Sequence, residues 1–122
     1  MPRHEVRNMS AATEVRTFEH AKIELVPIGG GTVARYNLQP GWKWSNDVKP
    51  AAKTEWCEAT HLQYVISGRY HVKLSDGTEF EIGPGDVASI PAGHDAWVVG
   101  KEPLVGIEWS GAKVATEPPK RT

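Results

Sequence analysis

Residues 55–97 read EWCEATHLQYVISGRYHVKLSDGTEFEIGPGDVASIPAGHDAW. The stretch holds the only cysteine, three of the five histidines and two turns punctuated by Gly and Pro. Its middle predicts a β-hairpin in a defined register. Tyr70, Val72 and Leu74 share one face of the first arm, and Thr78, Phe80 and Ile82 share one face of the second. A two-residue Asp76-Gly77 loop would pair Leu74 with Glu79 and mix the faces. A three-residue loop, Ser75-Asp76-Gly77, pairs Leu74 with Thr78, Val72 with Phe80 and Tyr70 with Ile82, with Gly77 left-handed. The same register sets His71 opposite Glu81 and Lys73 opposite Glu79 on the outer face.

Working outward, the flanks read as more short strands. Before the stretch, residues 3–9 predict an edge strand and Ser10–Glu14 a helical turn capped by Ser10 or Thr13. Lys22–Ile28 and Thr32–Leu38 predict strands joined by Gly29-Gly30-Gly31, with Pro27 marking an edge. In Trp42-Lys43-Trp44 the alternation puts both tryptophans on one face, and Ser45–Thr54 reads as a loop near a pocket mouth. His61–Ile66 is a strand ended by Ser67-Gly68. Gly83–Asp86 is a tight turn, Val87–Ile90 a short strand, and Ala96–Val99 and Leu104–Trp109 the last strands. Residues 1–110 are expected to form one all-β domain, a small barrel or jelly roll, and 111–122 a flexible tail.

Composition excludes several classes. The 122 residues carry a formal net charge of −1, with no basic footprint for nucleic acid or an anionic membrane. No apolar run approaches the ~20 residues that span a bilayer, and the opening residues do not read as a signal peptide. A single cysteine gives no disulfide framework and suits a reducing cytoplasm.

The pattern Glu55-x-Cys57-x3-His61-x6-Gly68, followed by Gly85-x5-Pro91-Ala92-Gly93, resembles the cupin superfamily, in particular its small single-domain conserved-barrel members. The resemblance covers about residues 40–110. It implies a double-stranded β-helix, a jelly-roll barrel of two antiparallel sheets. It also implies a homodimer paired through N-terminal strands, for which residues 3–9 and 22–28 are the edge-like candidates. The ligand positions differ from the family pattern. Glu55 and Cys57 stand where the family has two histidines, and His61 stands where it has glutamate. Ala96 and Gly100 replace the later histidine and asparagine, and His94 lies two residues before Ala96.

The substituted residues are themselves ligands. Cys57, His61 and His94 are the candidate metal ligands, and Glu55 is a candidate fourth ligand or general base. A thiolate with two imidazoles suits a divalent transition metal, Zn²⁺ or Fe²⁺ ahead of Mn²⁺ or Ni²⁺. The plainer reading is a buried cysteine and hydrogen-bonded histidines around a metal-free polar pocket. Gln63, Trp44, Tyr64 and Trp97, with Trp42, are candidates for lining a small-molecule site. Asp95 either orients His94 or caps backbone N–H groups. His4, His20 and His71 read as surface residues.

Two functions remain open at this stage. One is a metal-dependent cupin enzyme, an oxygenase, isomerase or decarboxylase of a small organic molecule. The other is a non-catalytic small-molecule binding or sensing cupin.

Overall fold

The hairpin forms in the expected register. A computed structural model describes residues 4–110. Within it, β5 (Arg69–Leu74) pairs with β6 (Glu79–Ile82), matching Tyr70 to Ile82, Val72 to Phe80 and Lys73 to Glu79. Leu74 N–H donates to the Thr78 carbonyl at 2.8 Å, and Gly77 takes φ 94°, as the three-residue turn demands. His71 faces outward and contacts both Glu79, at 2.7 Å, and Glu81, at 3.6 Å.

The remaining strands are β1 (Glu14–Phe18), β2 (Ala21–Ile28), β3 (Gly31–Leu38), β4 (His61–Ser67), β7 (Val87–Ile90), β8 (His94–Val99) and β9 (Leu104–Ser110). They form two antiparallel sheets. One has the order β1-β2-β3-β9-β4-β7, and the other has the order β6-β5-β8. The inner faces supply the core, including Tyr36, Val65, Tyr70, Val72, Ile82, Ile90 and Leu104. Alternation explains this choice. In β4 the inward phase is His61, Gln63 and Val65, while Leu62, Tyr64 and Ile66 are exposed.

Four local expectations are corrected. Residues 4–8 form no strand; a 3-10 turn follows at Met9–Ala11, and its cap is Asn8, whose side chain accepts from Ser10 N–H. β1 lies where no period was legible, because every one of its residues is exposed and burial imposes no alternation. Residues 22–25 offer no free edge, since β2 pairs there with both β1 and β3, while residues 26–28 pair with β3 alone. Pro27 is accommodated, because β1 reaches only to Leu25 and leaves that position unpaired on one side. The segment read as a loop holds two short helical turns, α1 (Trp44–Asp47) and α2 (Lys49–Ala52). Pro50 sits in the first turn of α2, where its missing N–H has no intrahelical partner to lose. Asp95 of the neighbouring β8 caps α1, its carboxylate accepting from Ser45 N–H at 3.1 Å. The tail expected at 111–122 lies outside the described residues. No described helix is long and apolar enough to cross a membrane.

One close approach fixes an inner wall. Gly106 of β9 sits opposite Tyr36 of β3. A methyl group at Gly106 would overlap the Tyr36 hydroxyl and the Tyr64 carbonyl. Gly106→Ala is therefore expected to cost about 1–3 kcal/mol through overpacking. Urea unfolding measures the loss, and an unchanged midpoint would show that Tyr36 can move aside freely.

Candidate metal centre

Cys57 enters the barrel from the segment before β4. Its backbone is bridged to the first residue of β8. Cys57 N–H donates to the His94 carbonyl at 2.8 Å, and Gly93 N–H donates to the Cys57 carbonyl at 2.7 Å. His61 opens β4 in its inward phase. The three donor atoms of Cys57, His61 and His94 lie within 4.8 Å of one another. The two imidazole rings meet edge to face with centroids 5.0 Å apart. All three expected ligands are thus brought together.

The outer nitrogens of both rings are already engaged. His94 Nδ1–H donates to the Pro91 carbonyl at 2.7 Å, an oxygen that can only accept. His61 Nδ1–H donates to Glu108 Oε2 at 2.6 Å. Each ring therefore turns Nε2 toward the cavity, and His61 Nε2 lies 3.8 Å from Cys57 Sγ. A carboxylate behind a ligating histidine fixes its tautomer and raises its basicity. Burial pushes the Cys57 thiol up, but hydrogen bonds from His61 and His94 outweigh it and bring the thiol down to about 6. Burial pushes His61 down, yet the bonds to Cys57 and Glu108 lift it to about 9. One thiolate and two Nε2 donors form a set that fits a borderline-soft transition ion and suits Ca²⁺ or Mg²⁺ poorly.

The centre opens on a cavity of about 260 Å³. Gln63, Trp42 and Trp44 line it as expected. Tyr36, Tyr70 and Glu108 line it too, and sequence reasoning missed all three. Tyr36 donates to Gln63 Oε1 at 3.2 Å, Tyr70 donates to the same oxygen, and Gln63 Nε2 donates to Glu108 Oε1 at 3.3 Å. Burial first, with the Glu108 carboxylate adding to it, holds both phenols well above the usual tyrosine range. The available signal was phase: Glu108 stands two and four residues from the inward Gly106 and Leu104.

Three candidates lie outside the cavity. Glu55 is 78 % exposed along its side chain and pairs with Lys49 at 3.2 Å. Residues 54–56 bend, so the alternation that would have put Glu55 beside Cys57 does not operate. Tyr64 is exposed, the necessary result of an inward His61 and Gln63 on the same strand. Trp97 packs on the outer face, stacked on His71 at 4.9 Å with Lys43 Nζ 4.9 Å from its ring centroid. Asp95 caps backbone groups and leaves His94 to Pro91.

Residues 43–106, just over half the chain, match the EutQ-like cupin domain family. No curated protein matches the sequence. Among solved structures, the chain is similar to the oxalate decarboxylase of Lactobacillus farciminis in its formate complex. The TM-score is 0.63 at 23 % identity, over 85 % of this chain and 32 % of that one. The oxalate decarboxylase of Bacillus subtilis, which has Mn(II) centres, aligns with a TM-score of 0.60 at 27 % identity, over 82 % of this chain and 28 % of that one. A Rhizobium leguminosarum protein of unknown function aligns with a TM-score of 0.65 at 18 % identity, over 92 % of this chain and 100 % of that one. The chain thus spans about a third of the length of the oxalate decarboxylases it resembles.

The two shifted groups would set the proton balance of any metal uptake at this centre. Between pH 6 and 9 the thiol is largely ionised while His61 still carries its proton. Zinc entering at pH 7.5 is therefore expected to release about one proton, and affinity should rise about tenfold per pH unit until His61 deprotonates. Calorimetry in buffers of different ionisation enthalpy counts the proton. A count of zero at pH 7.5 would show that His61 is not a ligand.

Proposed function

The chain belongs to the EutQ-like cupin domain family, and we propose that it is a metal-dependent cupin. In this reading Cys57, His61 and His94 hold Zn²⁺ or Fe²⁺, and the adjoining cavity binds a small organic molecule for an isomerase, decarboxylase or oxygenase reaction. One observation carries this reading: three donor atoms, gathered within 4.8 Å, face the same cavity that Gln63, Tyr36 and Tyr70 line. Three protein ligands leave a coordination position open, as catalytic rather than structural sites do. The thiolate favours zinc or iron over manganese. A divalent ion there supplies Lewis-acid polarisation of a bound oxygen, and iron adds redox chemistry.

The chain's own residues perform the remaining tasks. Glu108 orients His61 through Nδ1, and Pro91 does the same for His94. The Trp42 and Trp44 rings, with Ile90 and Leu38, supply apolar walls that exclude water. Among the described lining residues Glu108 is the one carboxylate, and its Oε1 is the acceptor placed to take a proton from a bound molecule. It takes the role that Glu55 cannot fill from its exposed position.

Loading with Co²⁺ tests the centre directly. Wild-type protein is expected to bind one ion per chain and to show the near-ultraviolet charge-transfer band of a thiolate–cobalt bond. Cys57→Ala should abolish the band and weaken binding by more than about 100-fold, and Glu108→Gln should keep the band and weaken binding about 10–100-fold. Circular dichroism should stay native in both. No band in the wild type would sink the proposal.

A further inference from the structure

The cavity wall also says what kind of molecule it accepts, an inference that rests on reading this cavity as the site of action. We propose that its ligand is an uncharged, largely apolar small molecule with one hydrogen-bonding head, and that small dicarboxylates such as oxalate are excluded, which narrows the reaction classes of that reading to isomerisation and oxygenation.

Formal charge gives the first reason. Among the described residues lining the cavity none is Lys or Arg, while Glu108 brings a carboxylate inside. A divalent ion held by the Cys57 thiolate beside Glu108 leaves the centre neutral. Without the ion, no lysine or arginine among the described lining residues stands against the Glu108 carboxylate. Neither state offers net positive charge. The lysines closest in sequence are directed elsewhere: Lys43 lies over the outer face of Trp97, and Lys49 pairs with exposed Glu55. A dianion would leave the cavity with a net negative charge in either state, and no lining lysine or arginine offsets it.

The distribution of polar atoms gives the second reason. They form one connected chain, from Tyr36 and Tyr70 through Gln63 and Glu108 to His61 and Cys57. The other walls are apolar, chiefly Ile23, Leu38, Trp42, Trp44, Val48 and Ile90. A ligand with a hydroxyl or carbonyl head and a ring or branched alkyl body matches both surfaces. One polar end and one apolar body satisfy the cavity, whereas two charged ends do not.

Benzyl alcohol and oxalate are suitable probes, titrated into metal-free and zinc-loaded protein with metal content measured before and after. The readout is the indole N–H resonances. Trp42 and Trp44 line the cavity, and Trp109 on the outer face is the control. Benzyl alcohol is expected to shift Trp42 and Trp44 saturably and leave Trp109 unmoved. Oxalate should shift neither at the concentration where benzyl alcohol saturates, and stripping of zinc without such a shift counts as exclusion. Glu108→Gln removes the negative charge and should raise oxalate affinity by roughly tenfold or more. Saturable oxalate binding to the wild type, as tight as that of benzyl alcohol, overturns the inference and leaves the metal reading intact. No response to benzyl alcohol overturns it as well. A benzyl alcohol response in a protein that takes up no metal supports it while removing the metal reading.

Discussion

The pairing of β4 with β9 is the constraint on which the rest of the site depends. It sets Gln63 opposite Glu108 and Leu62 opposite Trp109, so His61, Gln63 and Glu108 all face inward. A slip of one residue would exchange Glu108 for Trp109 on the inner face and break the hydrogen bond that orients His61. The register is pinned from two sides. Gly106 admits Tyr36 where any side chain would clash, and the irregularity between Val65 and Ser67 absorbs the one extra residue, Ile66. Fold and chemistry meet in this pair of strands.

The cavity side of this strand pair is polar. Two phenols, an amide, a carboxylate and an imidazole would each be costly to bury alone. Here each satisfies the next: both tyrosines donate to Gln63, Gln63 donates to Glu108, and Glu108 receives His61. Burial keeps the tyrosines protonated, so they remain donors. At the end of this chain of bonds the sulfur of Cys57 lies 3.8 Å from His61 Nε2, and both atoms face the cavity.

Much of this was legible in the sequence, and the failures have local causes. The hairpin was readable because two amphipathic arms and a glycine admit only one register that keeps faces separate. The turns at Gly68, Gly85 and Gly93 were readable from their glycines and from the prolines beside the last two. Cys57, His61 and His94 were found by their closeness to ligand positions. Glu108 was not, because its partner strand is distant in sequence and only a cross-strand register connects them. Glu55 was misplaced by assuming an extended chain where Thr54 turns back on the carbonyl of Trp56 at 2.7 Å. Trp97 and Tyr64 were misplaced by composition, since an aromatic side chain suggests a pocket wall but strand phase decides its direction. Trp97 instead stacks on His71 and shields the outer face of the hairpin.

The backbone bridge between Cys57 and His94 carries a last consequence. The bonds that hold these two positions together belong to the main chain and are indifferent to the side chains they carry. The scaffold therefore works as a socket: the spacing of the two positions comes with the backbone, and the side chains they carry can be exchanged one at a time. Exchanging those side chains would change which ions the pocket suits without disturbing the main-chain bonds that space them.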